Sequence, residues 1–562
     1  MADTPRQIAD RYLDSLARLS PLLSTELGLP YGADELDDFS PTGLAAQEQL
    51  ARTALAELDT APVADAAEQR CATLLRERLT SELTQLEHGE ELRAIRNLFS
   101  PMHSVRAGFA QMPTDTEQDW ANLRGRLAAV PAAYSGYTAT LREGLREGLY
   151  AGPRQVSTAI EQLTAWLDND YFPGLVAAGP GNLRAELDAA AADAAGACVA
   201  LRVFLQEVYA SAAAGEPDTV GRERYARCAR QWTGSEVDLD AAYVWAWEEF
   251  ARIDADIRTE AENVKPGVTP AEAMALLNTE GEAVQGVEQI RERLQSMMDT
   301  AIAELDGTHF DLAEEVKQVQ AMIAPAGSAA APYYSPPALD FSRPGRTWLP
   351  TMGLDRFPLW DLVSTWYHEG VPGHHLQLAQ WILVAPQLSK YQSSIGMISA
   401  NVEGWALYAE RLMDELGYLR TPGERIGYLD AQQMRVIRVI IDIGMHCAMT
   451  IPASADFHPG QSWTPELGRE FFGLHCGRSA EFADSELIRY LGMPGQAISY
   501  KLGERAWLQG RERARDAQGA DFDLKRWHMA ALSMGSLGLD DLVDALATAG
   551  AQASGSDVGV YQ

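Results

Sequence analysis

The chain has 562 residues, 46% of them apolar, which is enough for two or more domains with their own cores. Its 46 basic residues face 79 acidic ones, a formal net charge of −33, and this excess argues against nucleic acid or an anionic membrane as a partner. Five cysteines (Cys71, Cys198, Cys228, Cys447, Cys476) are scattered without a CxxC pair, so neither a disulfide framework nor a cysteine-zinc site is indicated. The N-terminus has no apolar signal core and no run approaches membrane-spanning length, so a cytoplasmic location is expected.

From residue 6 to about 325 the sequence reads as helix after helix. Ile8, Tyr12, Leu13, Leu16 and Leu19 form one stripe, and Leu74, Leu75, Leu79 and Leu83 form another. Longer helices are expected over about 116–147, 183–213, 240–262 and 270–305, with alanine supplying helix propensity in the second. His88, His103 and His309 are isolated and signal no chemistry. Residues 1–325 are therefore expected to form a helical N-terminal lobe, and 326–562 a mostly helical lobe carrying the functional site; the two can interleave.

Ala324–Pro332 has the Pro, Gly and small residues of a linker. The following stretch, Tyr333 to Pro350, is the best candidate for extended structure: its prolines exclude a helix or a central strand, and its aromatics favour a short edge strand. Such an edge ahead of the next helix could pair with an extended peptide, and Tyr334 is a candidate substrate contact.

Phe357-Pro358 is expected to open a helix that carries His368-Glu369-Gly370-Val371-Pro372-Gly373-His374-His375. Three histidines and a glutamate within eight residues, in a chain with ten histidines, point to a metal, because imidazole and carboxylate bind zinc while leaving a position open for water. The familiar form is His-Glu-x-x-His, with both rings on one helix face and the Glu as general base. Here the spacing is wider. On an unbroken helix the six residues from His368 to His374 turn through roughly 600°, so the two rings would diverge. Pro372, which removes a helix N–H, is expected to kink the helix and bring a ring back. The motif needs a third ligand. Glu403 lies on the apolar side of a helix over about 394–416 and suits that role, with Glu410 two turns on as a supporting carboxylate.

A helix opened by Thr421-Pro422-Gly423-Glu424 carries Arg435, Arg438, Asp442 and His446 as a stripe within a β-branched apolar surface, where charges must pair. Further on, Tyr490 and Tyr500 can stabilise an oxyanion, and Arg489 and Lys501 can hold a substrate carboxylate. Two closing helices, about 523–534 and 539–548, precede a small-residue tail from Gly550.

With these residues in view, the chain resembles a large bacterial family of uncharacterised proteins marked by HExxPGHHxQ. The same family pattern shows as Glu403-Gly404-Trp405-Ala406-Leu407-Tyr408, Asp442-Ile443-Gly444-Met445-His446 and Pro494 to Lys501. That family looks distantly similar to the helical gluzincin peptidases: thimet oligopeptidase and neurolysin, angiotensin-converting enzyme and carboxypeptidase Taq. The resemblance implies a two-lobed fold with a deep cleft, His368 as first zinc ligand, Glu369 as base, His374 matching the second histidine, and Glu403 as third ligand. The departure is two extra residues between the histidines, where dipeptidyl peptidase III carries one. It leaves the choice between His374 and His375 open.

The expected protein is thus mostly α, a two-lobed helical zincin-like fold with a deep central cleft and a small β element before the metal helix. It holds one Zn2+ and hydrolyses short peptides as a carboxypeptidase or oligopeptidase. Two alternatives use the same site: a metal-dependent hydrolase of a non-peptide amide or ester, and an inactive binding protein. A di-iron oxidoreductase would want paired Glu-x-x-His motifs, which the sequence lacks.

Overall fold

Apolar residues at helical spacing become helices through almost the whole chain in a computed structural model, which describes residues 2–325 and 331–551. The central part of the proposed linker, 326–330, and the tail from 552 lie outside the described residues. The fold is mostly helical with few strands, as the periodicity predicts.

The chain divides into two units. The first comprises Met1–Cys228, Met445–Met449 and Glu481–Pro494. Its core lies between helix α1 (Glu117–Glu147) and helix α2 (Arg184–Phe204). Leu127, Val130, Tyr134, Tyr137 and Leu141 of α1 share a buried cluster with Ala191, Ala194, Cys198 and Leu201 of α2. The small side chains of α2 let the two helices approach closely, and each fully buried leucine contributes about 1.5–3 kcal/mol. Thr116 caps the start of α1, and Gly148, left-handed at φ 73°, ends it. His103 joins a capping box at Ser100 and bonds Gln162, a structural role.

The second unit comprises Ala229–Gly444, Thr450–Ala480 and Gly495–Gln562, so residues 229–325 pack with the segment that follows the linker. It contains helix α3 (Leu239–Val264), then strands β1 (Ala283–Gln285), β2 (Val319–Ile323), β3 (Tyr333–Ser335), β4 (Gly345–Leu349) and β5 (Arg356–Pro358). Helices α4 (Leu362–Glu369), α5 (His374–Leu383), α6 (Ser399–Glu415), α7 (Pro422–His446) and α8 (Ser499–Gln518) follow. β1 and β5 pair antiparallel; β4 lies between β2, parallel to it, and β3, antiparallel to it.

Three expectations change here. The 270–305 segment is two helices, Pro270–Glu280 and Val287–Leu305, parted by β1, a strand too short to show an alternating pattern. Pro358 ends a strand instead of opening the helix that carries His368. β4 is a central strand despite its proline-rich surroundings. Pro344 and Pro350 stand just outside it, so no ladder N–H is lost; β3 and β2 are the edges of this three-stranded sheet.

Helices α6 and α8 cross glycine on glycine. A Cβ on Gly404 would overlap the Gly503 backbone, and one on Gly503 would overlap the Ala400 carbonyl oxygen. Gly404→Ala is therefore expected to cost about 1–3 kcal/mol by overpacking and to lower the melting temperature of the second unit by several degrees. An unchanged calorimetric melt would mean that the helices separate freely at this crossing.

Candidate metal centre

Helix α4 ends at Glu369 and α5 begins at His374, with Gly370 to Gly373 between them and a cis peptide before Pro372. The expected single kinked helix is instead two helices. The break is seated on the end of α4: Gly373 N–H donates to the Tyr367 carbonyl (3.0 Å) and His375 N–H to the Gly370 carbonyl (3.1 Å). A Cβ on Gly373 would overlap the His368 carbonyl oxygen, so only glycine allows this approach. The buried indole of Trp405 donates to the carbonyls of Pro372 (2.9 Å) and Gly373 (3.1 Å), fixing the turn from the side of α6. His374, first residue of α5, consequently faces back to His368. The two rings lie 4.7 Å apart at 84°.

The third group comes from α6. Glu403 Oε2 stands 3.5 Å from His368 Nε2 and 3.7 Å from His374 Nε2, too far for good hydrogen bonds. Ligand atoms sharing a tetrahedral zinc with bonds of about 2.0–2.1 Å lie about 3.3 Å apart, close to these separations. Glu403 Oε2 is buried and accepts no hydrogen bond from the described residues. Glu369 also has a carboxylate oxygen in the cluster, where the candidate atoms of His368, Glu369 and His374 lie within 4.8 Å of one another. Both carboxylates thus stand within reach of the two imidazoles. Glu369 follows His368 directly on α4, about 100° round the helix.

Behind His368 sits Glu410, seven residues after Glu403 and so on the same face of α6. Its Oε1 accepts from His368 Nδ1 (2.8 Å) and lies 3.3 Å from an Arg435 guanidinium nitrogen, while Ser364 donates its hydroxyl to Oε2. This carboxylate–imidazole pair fixes the tautomer and aims Nε2 at Glu403, the arrangement that supports metal-bound histidines. Sequence reasoning missed Ser364 and Trp405. Ser364 precedes His368 by one helical turn and Trp405 follows Glu403 by two residues, spacings that would have marked both.

His375 faces elsewhere. Its Nε2 donates to the Val316 carbonyl (2.6 Å) and its Nδ1 accepts from the Tyr334 hydroxyl (2.9 Å), so neither nitrogen is free to ligate. Tyr334, half-buried, thereby ties β3 to α5. Lys501 is corrected as a substrate contact: fully buried, its ammonium donates to Glu249, Gln432 and Glu504. Arg489 and Tyr490 belong to the first unit, where both bond Glu486. Of the α7 stripe, Arg435 reaches the centre. Arg438 lies 4.8 Å over the Tyr500 ring, Asp442 accepts from Gly495 N–H (2.9 Å), and His446 bonds Val220 N–H and the Tyr490 carbonyl.

Three carboxylates (Glu369, Glu403, Glu410) face one guanidinium, Arg435, so the centre is short of positive charge. Burial opposes a charge on His368, yet Glu403 and Glu410 on either side outweigh it and raise the imidazole to about 9. Burial, helped by the His368 charge, lowers His374 to about 4. Glu403 resists burial because both histidines hold it down at about 2, whereas burial pushes Glu369 up to about 7, with Glu403 adding to the rise. A strongly perturbed carboxyl near neutrality beside two imidazoles is what a general base requires.

No curated protein matches the sequence significantly. A family model described as bacterial protein of unknown function (DUF885) matches residues 21–546. A solved structure from Colwellia psychrerythraea, provisionally designated a lipoprotein, aligns with a TM-score of 0.82 and 21% identity over 97% of this chain and 99% of its own. One from Shewanella oneidensis, provisionally designated a lipoprotein of unknown function, aligns at 0.74 and 18%, with the same coverage. At these identities the likeness is one of fold, and the peptidase resemblance rests on the motif alone. The cytoplasmic expectation is withdrawn, because both relatives carry a designation foreign to the cytoplasm. Among the described residues no helix is long and apolar enough to cross a membrane.

In metal-free protein, nitrogen-resolved NMR of the histidines at pH 7.5 is expected to find His368 as imidazolium and His374 neutral. Unfolded histidine titrates near 6.5. The His368 contribution to stability is therefore fully present below that pH and lost as pH rises through about 9. His374 acts in the opposite sense: its contribution is present above 6.5 and lost as pH falls towards about 4. A neutral His368 at pH 7.5 would refute the charge deficit.

Proposed function

The chain belongs to the family of bacterial proteins of unknown function designated DUF885, and from the centre just described we propose that it is a zinc-dependent peptidase acting on short peptides. The observation that carries this reading is the buried, undonated Glu403 Oε2 at 3.5 and 3.7 Å from two imidazole nitrogens, one of them backed by Glu410. His368, His374 and Glu403 would hold the ion, with one position left for water. Zinc bound there supplies Lewis-acid polarisation of a carbonyl and lowers the pKa of water towards neutrality.

The chain's own residues supply the rest. Glu369, next to His368 in the cluster, would accept the proton that water gives up on attacking the peptide carbonyl and return it to the leaving amine. The Tyr500 hydroxyl is assigned as donor to the carbonyl oxygen as it becomes negative; Arg438 over its ring supports a fixed position. Glu410, Ser364 and Arg435 keep His368 in one tautomer, and Trp405 keeps His374 in place. The lipoprotein designation of the structural relatives supports a location outside the cytoplasm.

Metal analysis and peptide hydrolysis test the assignment together. Glu369→Gln is expected to retain stoichiometric zinc and to lose about 10²–10⁴-fold in kcat; loss of metal would make Glu369 a ligand. His374→Ala is expected to lose zinc and His375→Ala to keep it, and the reverse result would exchange their roles. Glu410→Gln is expected to weaken zinc about 10–100-fold in chelator competition, with the ligand set intact.

A further inference from the structure

Helix α8 also lines a cavity of about 660 Å³ that shares no residue with the metal centre. Glu504, Leu508 and Glu512 of α8 face Trp245 and Glu249 of α3 and Arg411 of α6 across it. Its size falls within the roughly 300–1,000 Å³ of small-ligand sites. Most of its charges are spent on each other. Arg411 bonds Glu504 (2.8 Å) and lies 3.6 Å from Glu249, and Lys501 beneath donates to both carboxylates.

Two charges remain. Arg505, half-buried, has its guanidinium 4.8 Å over the Trp245 ring, and among the described residues no hydrogen bond or contact ion pair holds it. Burial lowers its pKa, and Glu248 offsets this only in part, so the cation is left under-compensated. Glu512, likewise without a bonded partner among the described residues, lies seven residues on along the same face. Seven residues of helix span about 10 Å. Three residues of extended peptide span about the same distance.

We infer that this cavity binds short peptides of about three residues with both termini free, the carboxylate on Arg505 and the ammonium on Glu512. A planar guanidinium over an indole suits bidentate capture of a carboxylate. This site stands apart from the peptidase reading, because none of its residues belongs to the metal centre.

Calorimetric titration of the Glu369→Gln protein with tri-alanine tests it. Two binding events are expected, of which Arg505→Gln removes one. Tri-alaninamide, which lacks the carboxylate, is expected to bind that site about tenfold or more weakly. Glu512→Gln is expected to weaken tri-alanine there while leaving N-acetyl-tri-alanine unaffected. Heats unchanged in Arg505→Gln, or equal affinity for acid and amide, overturn the inference. If the peptidase reading alone fails, the event independent of Arg505 disappears and the other remains.

Discussion

The centre depends on one close approach, that of Gly373 against the carbonyl of His368. Without it α5 could not start where it does, and His374 would point away from its partner ring. The approach is possible because Gly373 has no Cβ, and it is held because Trp405 satisfies the two carbonyls that the break exposes. A buried carbonyl without a donor would cost roughly 1–3 kcal/mol, so the indole removes a penalty as well as adding a contact. The turn and the third candidate ligand therefore share a helix, since Trp405 and Glu403 both ride on α6.

Electrostatics completes what the backbone begins. The centre gathers more negative charge than its one arginine balances, and in a buried setting such an excess is costly until a cation or proton answers it. His368 takes the proton when nothing else is there, which explains its raised pKa between Glu403 and Glu410. The α6–α8 region solves a similar problem with protein charges alone, setting Lys501 and Arg411 against Glu249 and Glu504. Lys501 reads in sequence like a substrate hook, but its burial makes it a counter-charge.

What the sequence disclosed followed from the range of each interaction. The stripes over 116–147 and 240–262 mark helices because their apolar periodicity is local, and the His-Glu cluster marks the centre because ligand types are rare and dense there. Glu403 was legible because a carboxylate on an apolar face needs a partner. The two-helix break was not, since it rests on backbone packing between Gly373 and α4, and Pro372 only hinted at it. The roles of His375 and Tyr334 were hidden because they answer to each other across 41 residues of chain, with the Val316 carbonyl from a third segment. β1 was lost because a three-residue strand leaves no pattern.

The four-residue connection carries no candidate metal-binding side chain; its part is to let α5 dock on α4 through Gly373. The distance between the two imidazoles is set by how α5 docks on α4, and chain length between them enters only as slack. Motif definitions that count intervening residues are therefore measuring the wrong variable for sites built this way. A search keyed to the docking angle of two short helices, and to the aromatic ring bracing their junction, would group together centres that their spacings keep apart.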